Sequence, residues 1–173
     1  MKRFFAGCMA LAAVAFACLA LPARAAELYI SQLNGTVVKF DTATNTITSV
    51  VSGFKTPFDL TFGPNGDLYV SDYGAGTITR VSPEGQKTVV ASGLDRPVGF
   101  TFLANGDIAA NCYSNGNLSA GSTWRITPTG EKSLIASGLT APVELTVSQA
   151  DPSTLLSTSY GGATKTVPGA SVY

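Results

Sequence analysis

Residues 50–72 read VVSGFKTPFDLTFGPNGDLYVSD, and residues 90–112 read VASGLDRPVGFTFLANGDIAANC. A third version, IASGLTAPVELTVSQADPSTLLSTS, fills residues 135–159. The Ser-Gly pairs that begin at Ser52, Ser92 and Ser137 lie 40 and then 45 residues apart, and Asn65-Gly66-Asp67 returns as Asn105-Gly106-Asp107. A second phrase behaves the same way: RVSPEGQKTVVASGL from Arg80 comes back as RITPTGEKSLIASGL from Arg125. Self-similarity at a fixed period of some forty residues marks an array of like supersecondary units.

Each unit reads as four short strands. Leu60-Thr61-Phe62 is closed by the turn Gly63-Pro64-Asn65-Gly66. Residues 67–71 then alternate, with Leu68 and Val70 on one face and Tyr69 on the other. Residues 77–81 follow, closed by Ser82-Pro83-Glu84-Gly85, and residues 87–91 are the fourth strand. Asn-Gly and Pro-x-Gly supply the positive φ that tight turns need. Turn signals about every 8–12 residues between β-branched runs are the all-β pattern, and nothing after residue 26 has helical periodicity. A four-stranded sheet of this size cannot bury both its faces, so units of this kind stack radially as the blades of a β-propeller.

The expected fold class is therefore all-β: antiparallel four-stranded propeller blades over residues 26–160, in an incomplete ring. Residues 56–91 and 97–136 are whole blades. Residues 28–52 give three strands with no innermost strand before them, and residues 142–148 with 154–159 begin a further blade. Residues 161–173 read as a poorly ordered tail. Two accounts of the count stand side by side: a truncated copy of a longer propeller, or two copies that each lend residues 142–148 to the other's 28–52, closing a six-bladed homodimer.

The start of the chain is separate. Lys2 and Arg3 precede an apolar run from Phe4 to Leu21, which Pro22 breaks before Ala23-Arg24-Ala25. That is the layout of a secretory signal peptide over residues 1–25, cleaved after Ala25, and it implies a periplasmic or secreted protein. The competing reading is a membrane anchor, since a run of about eighteen residues is near the lower limit for a span. Losing Lys2, Arg3 and Arg24 leaves eight basic residues against eleven acidic ones, which argues against a nucleic-acid surface. No later apolar run is long enough to span a membrane. Cys112 is then the one cysteine left, so no internal disulfide can form and the thiol reads as a small core group.

The Pro-x-Asp/Gly-x-x-Phe pattern at Pro57 and Pro97, the phrase at 65–72 and the Arg-Val-Ser-Pro-x-Gly phrase at 80–85 resemble the NHL-type blades of gluconolactonase-like and streptogramin-lyase propellers. The resemblance spans residues 27–160. It implies a ring that usually closes with six blades. Gluconolactonase-like relatives bind a divalent ion through Glu, Asn and Asp, and Glu27 stands near the place of their first ligand. Streptogramin lyases use histidine, and this chain has none, so that chemistry, any His-based triad and any imidazole zinc site are excluded.

Loops at one end of a propeller converge on the central channel. This register places Asp59, Gly99 and Glu144 at one position of successive blades, and Asp72 and Cys112 at another, flanked by Asn111 and Tyr113. Asp59, Asp72, Asn111, Tyr113 and Glu144 are thus the channel-face candidates. Asp59 and Glu144 together could hold Ca²⁺ or another divalent cation or act as acid and base; as lone loop carboxylates they could instead cap strands, bond loop backbone amides or face water. Trp124 reads as blade packing, and the polar insertion 114–123 as an excursion on the site face. Two functions follow: an exported binding or interaction module without catalysis, for an unknown small molecule or protein, or a metal-assisted hydrolase of the lactonase kind. Intact-mass measurement on protein from the exported fraction of its host should give a chain starting at Ala26; retention of Met1 would contradict the signal-peptide reading.

Overall fold

A computed structural model of the chain describes residues 26–114, 118–160 and 165–167. Residues 1–25, expected as a signal peptide, part of the insertion (115–117) and most of the tail lie outside the described residues. Fourteen strands and no helix occur among the described residues. They form four antiparallel sheets in chain order. Blade 1 is β1 (Glu27–Gln32), β2 (Thr36–Asp41) and β3 (Thr46–Val51). Blade 2 is β4 (Pro57–Phe62), β5 (Leu68–Asp72), β6 (Thr77–Val81) and β7 (Lys87–Ala91). Blade 3 is β8 (Pro97–Phe102), β9 (Ile108–Cys112), β10 (Gly121–Ile126) and β11 (Lys132–Leu139). Blade 4 is β12 (Pro142–Val147), β13 (Leu155–Ser159) and β14 (Lys165–Val167). The architecture is an all-β propeller arc with an open ring.

Three buried clusters hold the arc together, one per junction. Val37 and Val51 of blade 1 meet Leu68, Val70 and Val81 of blade 2, with Tyr29 packed against them. Tyr69, Ile78 and Leu94 meet Phe100, Ile108, Ala110 and Ile126 between blades 2 and 3. Leu103 and Ala109 meet Leu145 and Leu155 between blades 3 and 4. The period-2 alternation of each strand is what gives every blade two apolar faces. Trp124 lies in mid-strand on β10, packed against the second cluster, as a blade-packing residue should.

Polar contacts repeat with the same period. The linker amides of Phe54 and Leu94 donate to the carbonyls of Gly35 (3.1 Å) and Gly76 (3.0 Å) in the preceding blade. Gly76 has φ 71°, and a side chain there would strike the Leu94 carbonyl, so this turn requires glycine. Lys87 Nζ closes over the Ser52 carbonyl at 2.8 Å, and Lys132 does the same to Ser92 one blade later. The pairs Glu27–Lys39, Asp67–Arg80 and Asp107–Arg125 recur at one position of blades 1, 2 and 3.

Within the chain β12 pairs with β13 of its own blade, from Pro142↔Ser159 to Val147↔Leu155, and β14 pairs with β13. The described strands thus occupy four blade positions.

Gly99 shows how tightly the blades meet. A β-carbon there would lie 2.8 Å from the Glu144 Cα, with the Val143 carbonyl closer still. Gly99→Ala should therefore lower stability by about 1–3 kcal/mol through overpacking, read as a lower urea midpoint; an unchanged midpoint would mean that blades 3 and 4 are not in this contact.

Candidate functional site

Each innermost strand breaks register at the same point: between Pro57 and Leu60, Pro97 and Phe100, and Pro142 and Leu145. The residues inside these bulges are Phe58-Asp59, Val98-Gly99 and Val143-Glu144. A bulge breaks strict alternation and re-aims side chains, here where the innermost strands of blades 2 to 4 begin. The bulge amides are not left unpaired: Asp59 N donates to Ser71 Oγ (2.9 Å) and Glu144 N to Thr158 Oγ1 (3.1 Å).

The charge of Glu144 reaches the Asp59 carboxyl, with Gly99 of the intervening blade packed against the Glu144 backbone. Glu144 is exposed on β12. Asp59 is partly buried, and its carboxyl is pushed from its ordinary 3.8 to about 6, first by burial and further by the charge of Glu144. Two amides work against that rise: Phe100 N donates to Asp59 Oδ2 (3.0 Å) and Leu60 N to Oδ1 (2.8 Å). Both oxygens are thus engaged by backbone of blades 2 and 3. Among the described residues no group of three or more His, Cys, Asp or Glu could hold a metal ion. With both Asp59 oxygens taken by amides, the pair offers a divalent ion few free donors.

Two other candidates, Asp72 and Asn111, have structural duties, as does Cys112. Asp72 is buried, and its carboxylate accepts from the amides of Lys55 (2.7 Å), Thr56 (2.8 Å) and Ala75 (3.0 Å). It fastens the linker between blades 1 and 2, so a channel-facing ligand role for it is corrected. Cys112 occupies the equivalent site in blade 3 beside the Asp95 amide, and burial pushes its thiol up to about 12. Asn111 is fully buried: its Nδ2 donates to the Glu144 carbonyl (3.0 Å) and Ser157 Oγ (2.9 Å), and its Oδ1 accepts from Thr123 Oγ1 (2.7 Å). It ties blade 3 to blade 4. Glu27, at the opposite end of β1 from Gln32, accepts from Lys39 Nζ at 2.7 Å and fills the ion-pair position of the repeat.

Tyr113 has a different setting. Leu33, Tyr73, Tyr113 and Tyr160 follow β1, β5, β9 and β13, the equivalent strands of the four blades, and all four line one cavity of about 430 Å³. Its floor carries Phe58, Val98 and Val143, the first residue of each bulge. Phe58 stacks on Tyr73 with centroids 6.2 Å apart, and the Arg96 guanidinium lies 5.3 Å over the same ring. The tyrosine amides are held alike, Tyr73 N on the Thr56 carbonyl, Tyr113 N on Arg96 and Tyr160 N on Ala141. Sequence reasoning reached Tyr113 and missed the other wall residues. Their signal was the one-per-repeat spacing of tyrosines after the second strand.

No protein-family profile matches the chain, and no curated protein does. Solved structures do. A virginiamycin B lyase from Staphylococcus aureus is 20% identical with TM-score 0.57, covering 81% of this chain and 51% of that one. A gluconolactonase from Xanthomonas campestris is 19% identical with TM-score 0.67, covering 81% and 52%. These likenesses place the fold among such propellers, and the chain spans about half the length of each.

A carboxyl with a raised folded value binds its proton where the unfolded chain has already released it. Asp59 therefore favours the folded state fully near pH 4, and that contribution fades as pH rises to about 6. The difference is on the order of 3 kcal/mol at most. In denaturant titrations Asp59→Asn should abolish this decline, and Glu144→Gln should move the Asp59 titration downward. A wild-type stability flat from pH 4 to 7 would contradict the burial of Asp59.

Proposed function

We propose that this chain is an exported binding module, without catalysis of its own, that takes a small apolar or aromatic molecule in the cup lined by Leu33, Tyr73, Tyr113 and Tyr160. The observation that carries the reading is that four blades each contribute one side chain at the same register to a single cavity. Ordinary packing buries apolar groups between blades; here Leu33, Phe58 and Tyr160 stand 81%, 41% and 71% exposed around a shared hollow. Exposed apolar groups gathered in this way mark a surface for a partner or ligand, and concave aromatic walls with a few polar tips are how proteins hold small molecules. The tyrosines and Thr56 are the polar residues of its lining.

Catalysis finds less support. The chain has no histidine, Asp59 spends both oxygens on backbone amides, and Asp72 and Asn111 are committed to inter-blade bonds. One observation favours the second reading, a lactone hydrolase: Asp59, poised at about 6 beside Glu144, could exchange a proton near neutral pH. Hydrolysis of an aldonolactone by wild type, lost in Asp59→Asn, would establish that reading over the first.

The neutral fluorophore N-phenyl-1-naphthylamine tests the cup. Saturable binding with enhanced emission is expected. Phe58→Ala and Tyr73→Ala should each weaken it about three- to tenfold, the loss of one aromatic contact worth about 0.5–1.5 kcal/mol. Val89→Lys, exposed on the outer strand β7 and away from the cup, should leave it unchanged. Absence of saturable binding, or equal binding by a Phe58→Ala/Tyr73→Ala double variant, would overturn the reading.

A further inference from the structure

The end faces of the arc are made like its internal junctions but lie uncovered. On β1, Leu28 and Ile30 hold the positions that Leu68 and Val70 hold on β5 and that Ile108 and Ala110 hold on β9. Leu68 and Val70 are 4% and 0% exposed, whereas Leu28 and Ile30 are 49% and 42% exposed. At the other end Leu156 holds the position of Tyr69, with 39% exposure against 9%. Blade 1 thus presents the near face that blades 2, 3 and 4 each bury, and blade 4 presents the far face that blades 1, 2 and 3 each bury.

We propose that these two faces dock between two copies of this chain, blade 4 of each on blade 1 of the other, to close a head-to-tail dimer of eight blade positions. Three junctions within the chain already join a far face to a near face, so the fit is one this sequence makes repeatedly. The counterparts of the new contact are Tyr29 against Leu68 and Tyr69 against Ile108; Leu156 would meet Leu28 in the same way. A second copy is the partner that carries both missing faces at once, and a two-fold axis covers both ends together. Eight positions lie within the range of about four to eight blades that propellers close with. The solved propellers that this chain matches are about twice the matched length, which two copies supply. Closure would also turn the half-ring of Leu33, Tyr73, Tyr113 and Tyr160 into a full circle, so the cup is incomplete in one copy. The docking does not depend on what the cup binds.

Light scattering on the purified protein should give twice the mass of one copy, unchanged on tenfold dilution. Ile30→Glu should halve that mass with the β-sheet circular dichroism retained. Should that variant fail to fold, Leu28→Cys/Leu156→Cys decides, because Cys112 is buried and the new thiols face each other only across the docked ends. Under oxidation it should yield a two-copy product and nothing larger. A stable one-copy mass for wild type, or a ladder of larger cross-linked species from an open chain of arcs, would overturn the proposal.

Discussion

Every feature of this molecule follows from the burial of one sheet face against the next. A four-stranded blade of some forty residues has alternating side chains on both sides, and neither side can be left in water. At about 25 cal/mol per Å² of apolar surface, the junction that joins Ile78, Leu94 and Ile126 to Phe100 outweighs any single polar contact in the chain. The polar contacts set geometry instead. Asp72 on the Lys55 and Thr56 amides, and Asn111 on the Glu144 carbonyl, fix the angle at which one blade meets the next. Removing either partner would leave a buried polar group unsatisfied, which is why these sites carry residues that look functional in the sequence.

The same constraint makes the candidate site. Innermost strands converge on the axis, and Gly99 is small because the backbone of Val143 and Glu144 presses on it. The bulge before each such strand turns Phe58, Val98 and Val143 to the cup and leaves Asp59 and Glu144 close enough to feel each other's charge. Asp59 then sits between opposing forces, desolvated by its position yet solvated by two amides. Burial wins, and the carboxyl stays partly protonated near pH 6.

The repeat made the fold legible. Phrases forty residues apart placed the strands to within a few residues, and the turn residues marked their ends. Register set Asp59 and Glu144 at one position of their blades, and the charge of Glu144 reaches Asp59. What alternation alone could not reveal was the bulge, because an extra residue inverts the parity of everything beyond it; Phe58 and Val98 were invisible as wall residues for that reason. Asp72 was misread because its partners are linker amides, and a backbone amide leaves no mark in a sequence. Glu27 stood near a ligand's place by resemblance, and comparison with Asp67 and Asp107 within the chain identifies its Lys39 partner.

If stacked faces carry the stability, protection from exchange should rank by how fully a sheet is covered. Native-state amide hydrogen exchange reads this strand by strand. The slowest amides should be those of β5, β6, β9 and β10, the middle strands of the two complete blades, with β3 and β14 exchanging fastest. Uniform protection along the chain, or greatest protection in β3 or β14, would contradict the account.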